Sequence, residues 1–258
     1  VSSQNANHRV PVQVFHGHED RVICTSFYPD ENKVVSCSDD GTLRIWDRKT
    51  GEEQVLSGHS RWVWGVDVSR DGKMVVSGGE DGPVRIWNGE SGETMQVFEG
   101  HERWCHGSVF CARYSPNGNR IASAGENIQI WDAQTGNGIL SIRNSSVFSL
   151  VWTADDTHVI GGGYRGITMW SSYTGEQLRT WKAYDTDHGV TTLSLSPSGA
   201  HLATANSDKK TAFVFDVSTG EQVAAFEHGK NIFGIAYSPS GKFIATGCND
   251  MTVYVWEA

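Results

Sequence analysis

The chain has 258 residues, 38% hydrophobic and 20% charged, with 29 glycines and 10 tryptophans. That length suits one large core, and the composition suits many short strands joined by tight turns rather than a helical bundle. The formal charge of −9, from 30 acidic against 21 basic residues, opposes binding to a nucleic-acid backbone, and no basic run offsets it. No stretch approaches the roughly 18 apolar residues of a membrane helix, and the opening VSSQNANHRV lacks the regions of a secretory leader, so a cytoplasmic or nuclear protein without a membrane partner is expected.

From the N-terminus, an isolated apolar strand pattern, Val10 to Phe15, precedes six rounds of one pattern. Each round runs through an apolar strand, an SPDG-like turn, a second strand, an Asp/Gly turn, a strand ending in an aromatic residue, a TGE-like turn and a fourth strand. The aromatic endpoints are Trp46, Trp87, Trp131, Trp170, Phe215 and Trp256, at steps of 41, 44, 39, 45 and 41 residues. Glycine supplies the positive φ that such hairpins need, as in Pro116-Asn117-Gly118 and Thr50-Gly51-Glu52. A period near 40 residues with four strands predicts an all-β propeller of four-stranded antiparallel blades. The last round, 231–257, lacks its fourth strand, which Val10 to Phe15 is expected to supply, closing a single domain over 1–258 as six blades; a seven-bladed parent lacking one blade is the rival reading.

Gly17-His18, Gly58-His59 and Gly100-His101, with Trp46-Asp47 and Trp131-Asp132, recur in register, and the chain resembles the WD40-repeat β-propeller family on these elements. The resemblance implies that a His, a Ser or Thr, an Asp and the Trp of one blade form a hydrogen-bonded set. Matching residues are His18, Ser36, Asp40 and Trp46, then His59, Ser77, Asp81 and Trp87, and in the last blade His228, Thr246, Asp250 and Trp256. Such a set imitates a catalytic triad, but it recurs with a Trp that catalysis does not need, and a scaffold role is expected. The third round has His101 and Ser123 but Glu126-Asn127 in place of the Asp; the fourth has Gly161 and Arg165; the fifth has Phe215 in place of the indole. These blades are expected to be softer.

The first strand of each round carries the functional clue. Its large apolar positions step by three and then two, as in Val63, Val66 and Val68, where a regular pleat steps by two, so a bulge is predicted. By resemblance the bulged residue points to the top-face rim of the central channel, and those residues are Ile23, Trp64, Phe110, Phe148, Thr191 and Phe233. The resemblance also implies a second ring, the residue before the turn Asp, here Asp39, Glu80, Glu126, Tyr164, Ser207 and Asn249. Together they suggest an apolar funnel with an acidic side. The expected partner-binding residues are Arg21, Ile23, Asp39, Trp62, Trp64, Glu80, Trp104, Phe110, Phe148, Tyr164 and Phe233.

The five cysteines, Cys24, Cys37, Cys105, Cys111 and Cys248, have no metal spacing and read as reduced core residues, with Cys105 the most exposed. No catalytic site, metal or cofactor is expected. The expected function is a scaffold that holds a peptide or protein loop at the top face, as part of a larger chain or complex. A lectin-like, carbohydrate-binding propeller is the alternative; it would repeat one pocket around the ring, and the rim residues differ from round to round.

Overall fold

The structure, a computed structural model, describes residues 15–99, 101, 107–143, 147–163, 166–181, 191–238, 240–248 and 253–258. Blade one holds β1 (Val22–Phe27), β2 (Lys33–Ser38), β3 (Thr42–Asp47) and β4 (Glu53–Ser57), and blade two holds β5 (Val63–Val68), β6 (Met74–Gly79), β7 (Val84–Asn88) and β8 (Thr94–Phe98). Blade three holds β9 (Cys111–Tyr114), β10 (Arg120–Ala124), β11 (Asn127–Asp132) and β12 (Gly138–Arg143), and blade four β13 (Val147–Trp152), β14 (His158–Gly163), β15 (Gly166–Ser171) and β16 (Gln177–Trp181). Blade five holds β17 (Thr191–Leu195), β18 (His201–Asn206), β19 (Thr211–Asp216) and β20 (Gln222–Glu227), and blade six β21 (Ile232–Tyr237), β22 (Phe243–Cys248) and β23 (Val253–Glu257). Each blade is a meander whose neighbours in sequence pair antiparallel, so the six predicted sheets are present, the last with three described strands. Residues 10–14, assigned from sequence to the missing strand, lie outside the described residues, while Phe15 stacks on Trp46 with ring centroids 5.3 Å apart.

The core sits between blades. Val35, Cys37, Leu43 and Ile45 of blade one meet Val63, Val66, Val75 and Trp87 of blade two in one buried cluster, and similar clusters join the later blades. Burial of alternating faces against the next sheet is what selects the register, because a one-residue slip would turn the whole apolar set to solvent. Inner strands pack in succession, β1 on β5, β5 on β9, β9 on β13, β13 on β17 and β17 on β21. Among the described residues no packing of that extent joins β21 or β22 to β1. In consequence Val22 and Phe27 are 51% and 60% exposed, whereas their counterparts in blade two, Val63 and Val68, are buried. Phe243 is likewise exposed on blade six.

Local geometry follows turn chemistry. Gly118 takes φ of +77° in the first turn of blade three, where a side chain would be strained. Gly65 serves a different purpose: a Cβ there would lie 3.0 Å from the Cys111 backbone, so only glycine lets β5 approach β9 this closely.

Candidate functional site

The predicted bulge occurs where blades one, two, four and six begin their inner strands. Pairing jumps from Val22 to Cys24, Val63 to Gly65, Val147 to Ser149 and Ile232 to Gly234, leaving Ile23, Trp64, Phe148 and Phe233 as the extra residues. In blade three the ladder starts at Cys111, immediately after Phe110. Blade five departs from expectation: Thr191 pairs in register with Asn206. It is buried, donates to the Gly163 carbonyl at 3.1 Å and accepts from Asn206 Nδ2 at 3.2 Å, so Thr191 is a clasp between blades and leaves the rim.

Three of the rim side chains converge. Trp64 and Phe110 stack nearly parallel, 4.9 Å apart at 8°; Phe110 meets Phe148 at 4.7 Å; and Trp62 tilts against Trp64 at 6.4 Å. Three blades thus build one continuous aromatic wall, with Gly65 allowing the strands to come close enough for the stack. Trp64, Phe110 and Phe148 are half-buried, whereas Trp62, Ile23 and Phe233 are 44%, 43% and 54% exposed. Trp104 and Tyr164 lie outside the described residues, as does Cys105.

Two ion pairs alter the acidic side expected from sequence at Asp39 and Glu80, while Glu126 is exposed. Asp39 is buried, and its Oδ2 receives the guanidinium of Arg21 at 2.7 Å, with the Asp39 side chain 2% and that of Arg21 74% exposed. Glu80 accepts from Arg61 at 3.2 Å. In blades one and two the carboxylate at this turn pairs with an arginine from the loop entering the inner strand, and the guanidinium groups of Arg21 and Arg61 are the more exposed members of the two pairs. Arg61 was missed in the sequence, although its position before the inner strand, beside a backbone bond from Glu80 N to Trp62 O of 2.8 Å, is the signal that places it there.

The polar sets form closed chains. In blade two, Trp87 Nε1 donates to Ser77 Oγ at 2.8 Å, Ser77 Oγ meets His59 Nε2 at 2.8 Å, and His59 Nδ1 meets Asp81 Oδ1 at 2.7 Å. Because a carboxylate only accepts, Nδ1 carries the proton and Nε2 accepts from the serine, which gives every group a partner. Blade one repeats this through Trp46, Ser36, His18 and Asp40. Burial raises the Asp40 and Asp81 carboxyls, but hydrogen bonds from Thr42 and His18 in one case and from His59 and the Ser60 amide in the other outweigh it, and both fall below the usual range. In blade six Trp256 Nε1 donates to Thr246 Oγ1 at 3.0 Å, His228 Nε2 meets that oxygen at 2.7 Å, and His228 Nδ1 donates to the Phe226 carbonyl; Asp250 lies outside the described residues.

In blade three His101 and Trp131 both meet Ser123 Oγ at 2.7 Å, with no Asp in the set. Burial brings His101 down to about 4, and the Asn127 side chain, which accepts from the charged imidazole, opposes the shift only in part. Blade four replaces the set altogether. A Cβ on Gly161 would stand 2.9 Å from the Trp170 ring and from Val147, so apolar packing fills the place of a hydroxyl. Among the described residues no cluster of three or more His, Cys, Asp or Glu side chains could hold a metal ion.

Six repeated antiparallel units, five of four strands and the last of three described strands, with Gly-His and Trp-Asp elements recurring in register, define a WD-repeat propeller. A family model described as WD domain, G-beta repeat, matches residues 9–47, 51–88, 92–132, 175–216 and 220–257, and the chain belongs to that family. The interval without a match, 133–174, holds the first three strands of blade four, where Gly161 stands in place of the Ser of the polar set. The chain is 30% identical over 252 residues to the nuclear distribution protein nudF of Emericella nidulans, covering 93% of this chain and 51% of that protein, so it spans about half the length of that relative. It is 26% identical over 250 residues to the serine-threonine kinase receptor-associated protein of Gallus gallus, covering 95% and 69% of the two chains. It is 28% identical over 282 aligned positions to a guanine nucleotide-binding protein subunit beta of Arabidopsis thaliana, covering 99% and 73%. The last two are named for the assemblies to which they belong. No helix among the described residues is long and apolar enough to cross a membrane.

Proposed function

We propose that the chain is a non-catalytic protein-interaction module that holds a peptide or protein loop at the rim where the inner strands begin. One observation carries this: Trp62, Trp64, Phe110 and Phe148 form an unbroken aromatic row across three blades, and Trp62, Ile23 and Phe233 remain open to solvent. Exposed clustered aromatics supply large contact area at low conformational cost, which is what interface anchors require. Beside them stand the Arg21 and Arg61 guanidinium groups. An apolar anchor flanked by acidic residues therefore fits this rim better than the basic anchor that a free acidic flank would have favoured. Relatives named for protein assemblies support the reading.

The test is a comparison of proteins captured by the wild-type chain and by a Trp64→Ala, Phe233→Ala double variant whose fold is verified by circular dichroism. Partners held by the wild type and lost by the folded double variant are the expected result. An unchanged set of partners would remove the rim from the function.

A further inference from the structure

Blade one holds a second arrangement that the aromatic wall does not use. Cys24 of β1 and Cys37 of β2 are directly opposed in the antiparallel ladder, one step in from the bulge at Ile23. Opposed Cα atoms in such a ladder lie about 4.5 to 5.5 Å apart, and a disulfide spans Cα separations of about 4.4 to 6.8 Å. Both thiols are free, Cys37 fully buried and Cys24 half-buried, and Cys24 Sγ lies 3.9 and 4.0 Å from the Thr25 and Val66 carbonyl oxygens. On either side of Cys24 along the strand, Val22 and Ile23 are exposed at one end and Thr25 at the other, so small solutes reach this part of β1.

A third strand completes the environment. Arg113 of β9 is anchored by donating to the Val66 and Ala112 carbonyls at 2.9 and 3.1 Å, and its charge acts on Cys24. The other titratable groups facing this centre are Asp67 of β5 and Cys111 of β9. Asp67 accepts from the Tyr114 amide at 3.0 Å and from Ser26 Oγ at 3.4 Å. A thiolate beside a fixed guanidinium is the form that attacks electrophiles, whereas an isolated core thiol is inert. The Cys37 hydrogen bond, helped by Arg113 and opposed by burial, holds Cys24 well below the ordinary thiol range. Donation to Cys24, together with burial, pushes Cys37 up, and burial pushes Cys111 up.

We propose that Cys24 and Cys37 are a redox-active pair, in which Cys24 reduces a small hydroperoxide and Cys37 resolves the product into a disulfide across β1 and β2. The Cys24 thiolate attacks one peroxide oxygen, the O–O bond breaks, and Cys24 becomes a sulfenic acid as hydroxide (or alkoxide) leaves. The Cys37 sulfur then attacks the Cys24 sulfur, its proton and the sulfenic hydroxyl leave as water, and the S–S bond forms. Two electrons pass from the two thiols to the peroxide, and an external dithiol restores them.

The experiment exposes the folded chain to hydrogen peroxide, blocks the remaining thiols and maps the peptides by mass spectrometry, with Cys111 as the internal control. The expected result is a Cys24–Cys37 disulfide formed before Cys111 is modified and reversed by dithiothreitol. In Cys37→Ser, dimedone should trap a sulfenic acid at Cys24, and Arg113→Gln should slow Cys24 oxidation by roughly tenfold or more. Should Cys37→Ser fail to fold, the wild-type map decides alone. Cys24 and Cys37 remaining reduced in the folded chain under conditions that oxidise them in the urea-unfolded chain would overturn the proposal, as would oxidation no faster than at Cys111.

Discussion

Blades two and three are built on the same His, Ser and Trp, yet they manage the histidine in opposite ways. His59 has Asp81 at 2.7 Å on Nδ1, so a buried imidazole keeps an anionic partner. His101 has Ser123 on Nε2 but a turn shortened to Glu126-Asn127 where the carboxylate would stand, and burial governs it. The difference teaches that the Asp, rather than the His, decides whether the buried imidazole has an anionic partner.

The largest expected effect is on acid stability. With His101 near 4 in the folded chain and about 6.5 unfolded, the unfolded chain takes up a proton that the native one refuses. Stability from this group is complete above pH 6.5 and declines as pH falls towards 4, by about 3 kcal/mol at most. The carboxylates of Asp40 and Asp81 are depressed, so their contribution is present above about pH 3.9 and is lost only below it. Denaturant melts at pH 7 and 4.5 should show the loss, and His101→Gln should flatten it. An equal loss in His101→Gln would place the acid-sensitive group elsewhere.

Next is Asp81→Ala, which leaves His59 Nδ1 and the Ser60 amide without their partner and should cost about 1 to 3 kcal/mol, read as a shift in denaturant midpoint with binding intact in the folded fraction. Unchanged stability with a lost activity would make Asp81 a functional group. A smaller contrast compares blade two with blade one. Val63→Ala removes buried methyls and should cost about 2 kcal/mol, whereas Val22→Ala, on the face that meets no preceding blade, should stay within about 0.5 kcal/mol. Equal costs would mean that blade one is covered on that side.

The blades, their order and most of their bulges were legible because spacing encodes them: a period near 40 residues, a Gly at most turns, and the Val63, Val66, Val68 step that no regular pleat produces. The aromatic positions were legible for the same reason. The ion pairs of Arg21 with Asp39 and Arg61 with Glu80 were not, because the reach of a long side chain leaves no periodic trace. Thr191 was misplaced because the step pattern in its round is satisfied without the pairing jump. The opposition of Cys24 to Cys37 depends on strand register, which the turn fixes and the cysteine spacing alone does not reveal. The exposed face of β1 lies on the side away from blade two, and the relation between first and last blades is the one most distant in sequence and the one that local patterns constrain least.

The central claim is that the aromatic row binds a partner, and titration of one captured partner into folded single variants tests it most directly. Trp62→Ala, which truncates an exposed anchor, should weaken binding by about 2 kcal/mol or more, roughly thirtyfold. Thr219→Ala, in the turn between β19 and β20 at the opposite end of the ring, should leave the affinity unchanged. Full affinity in folded Trp62→Ala together with a loss in Thr219→Ala would contradict the account.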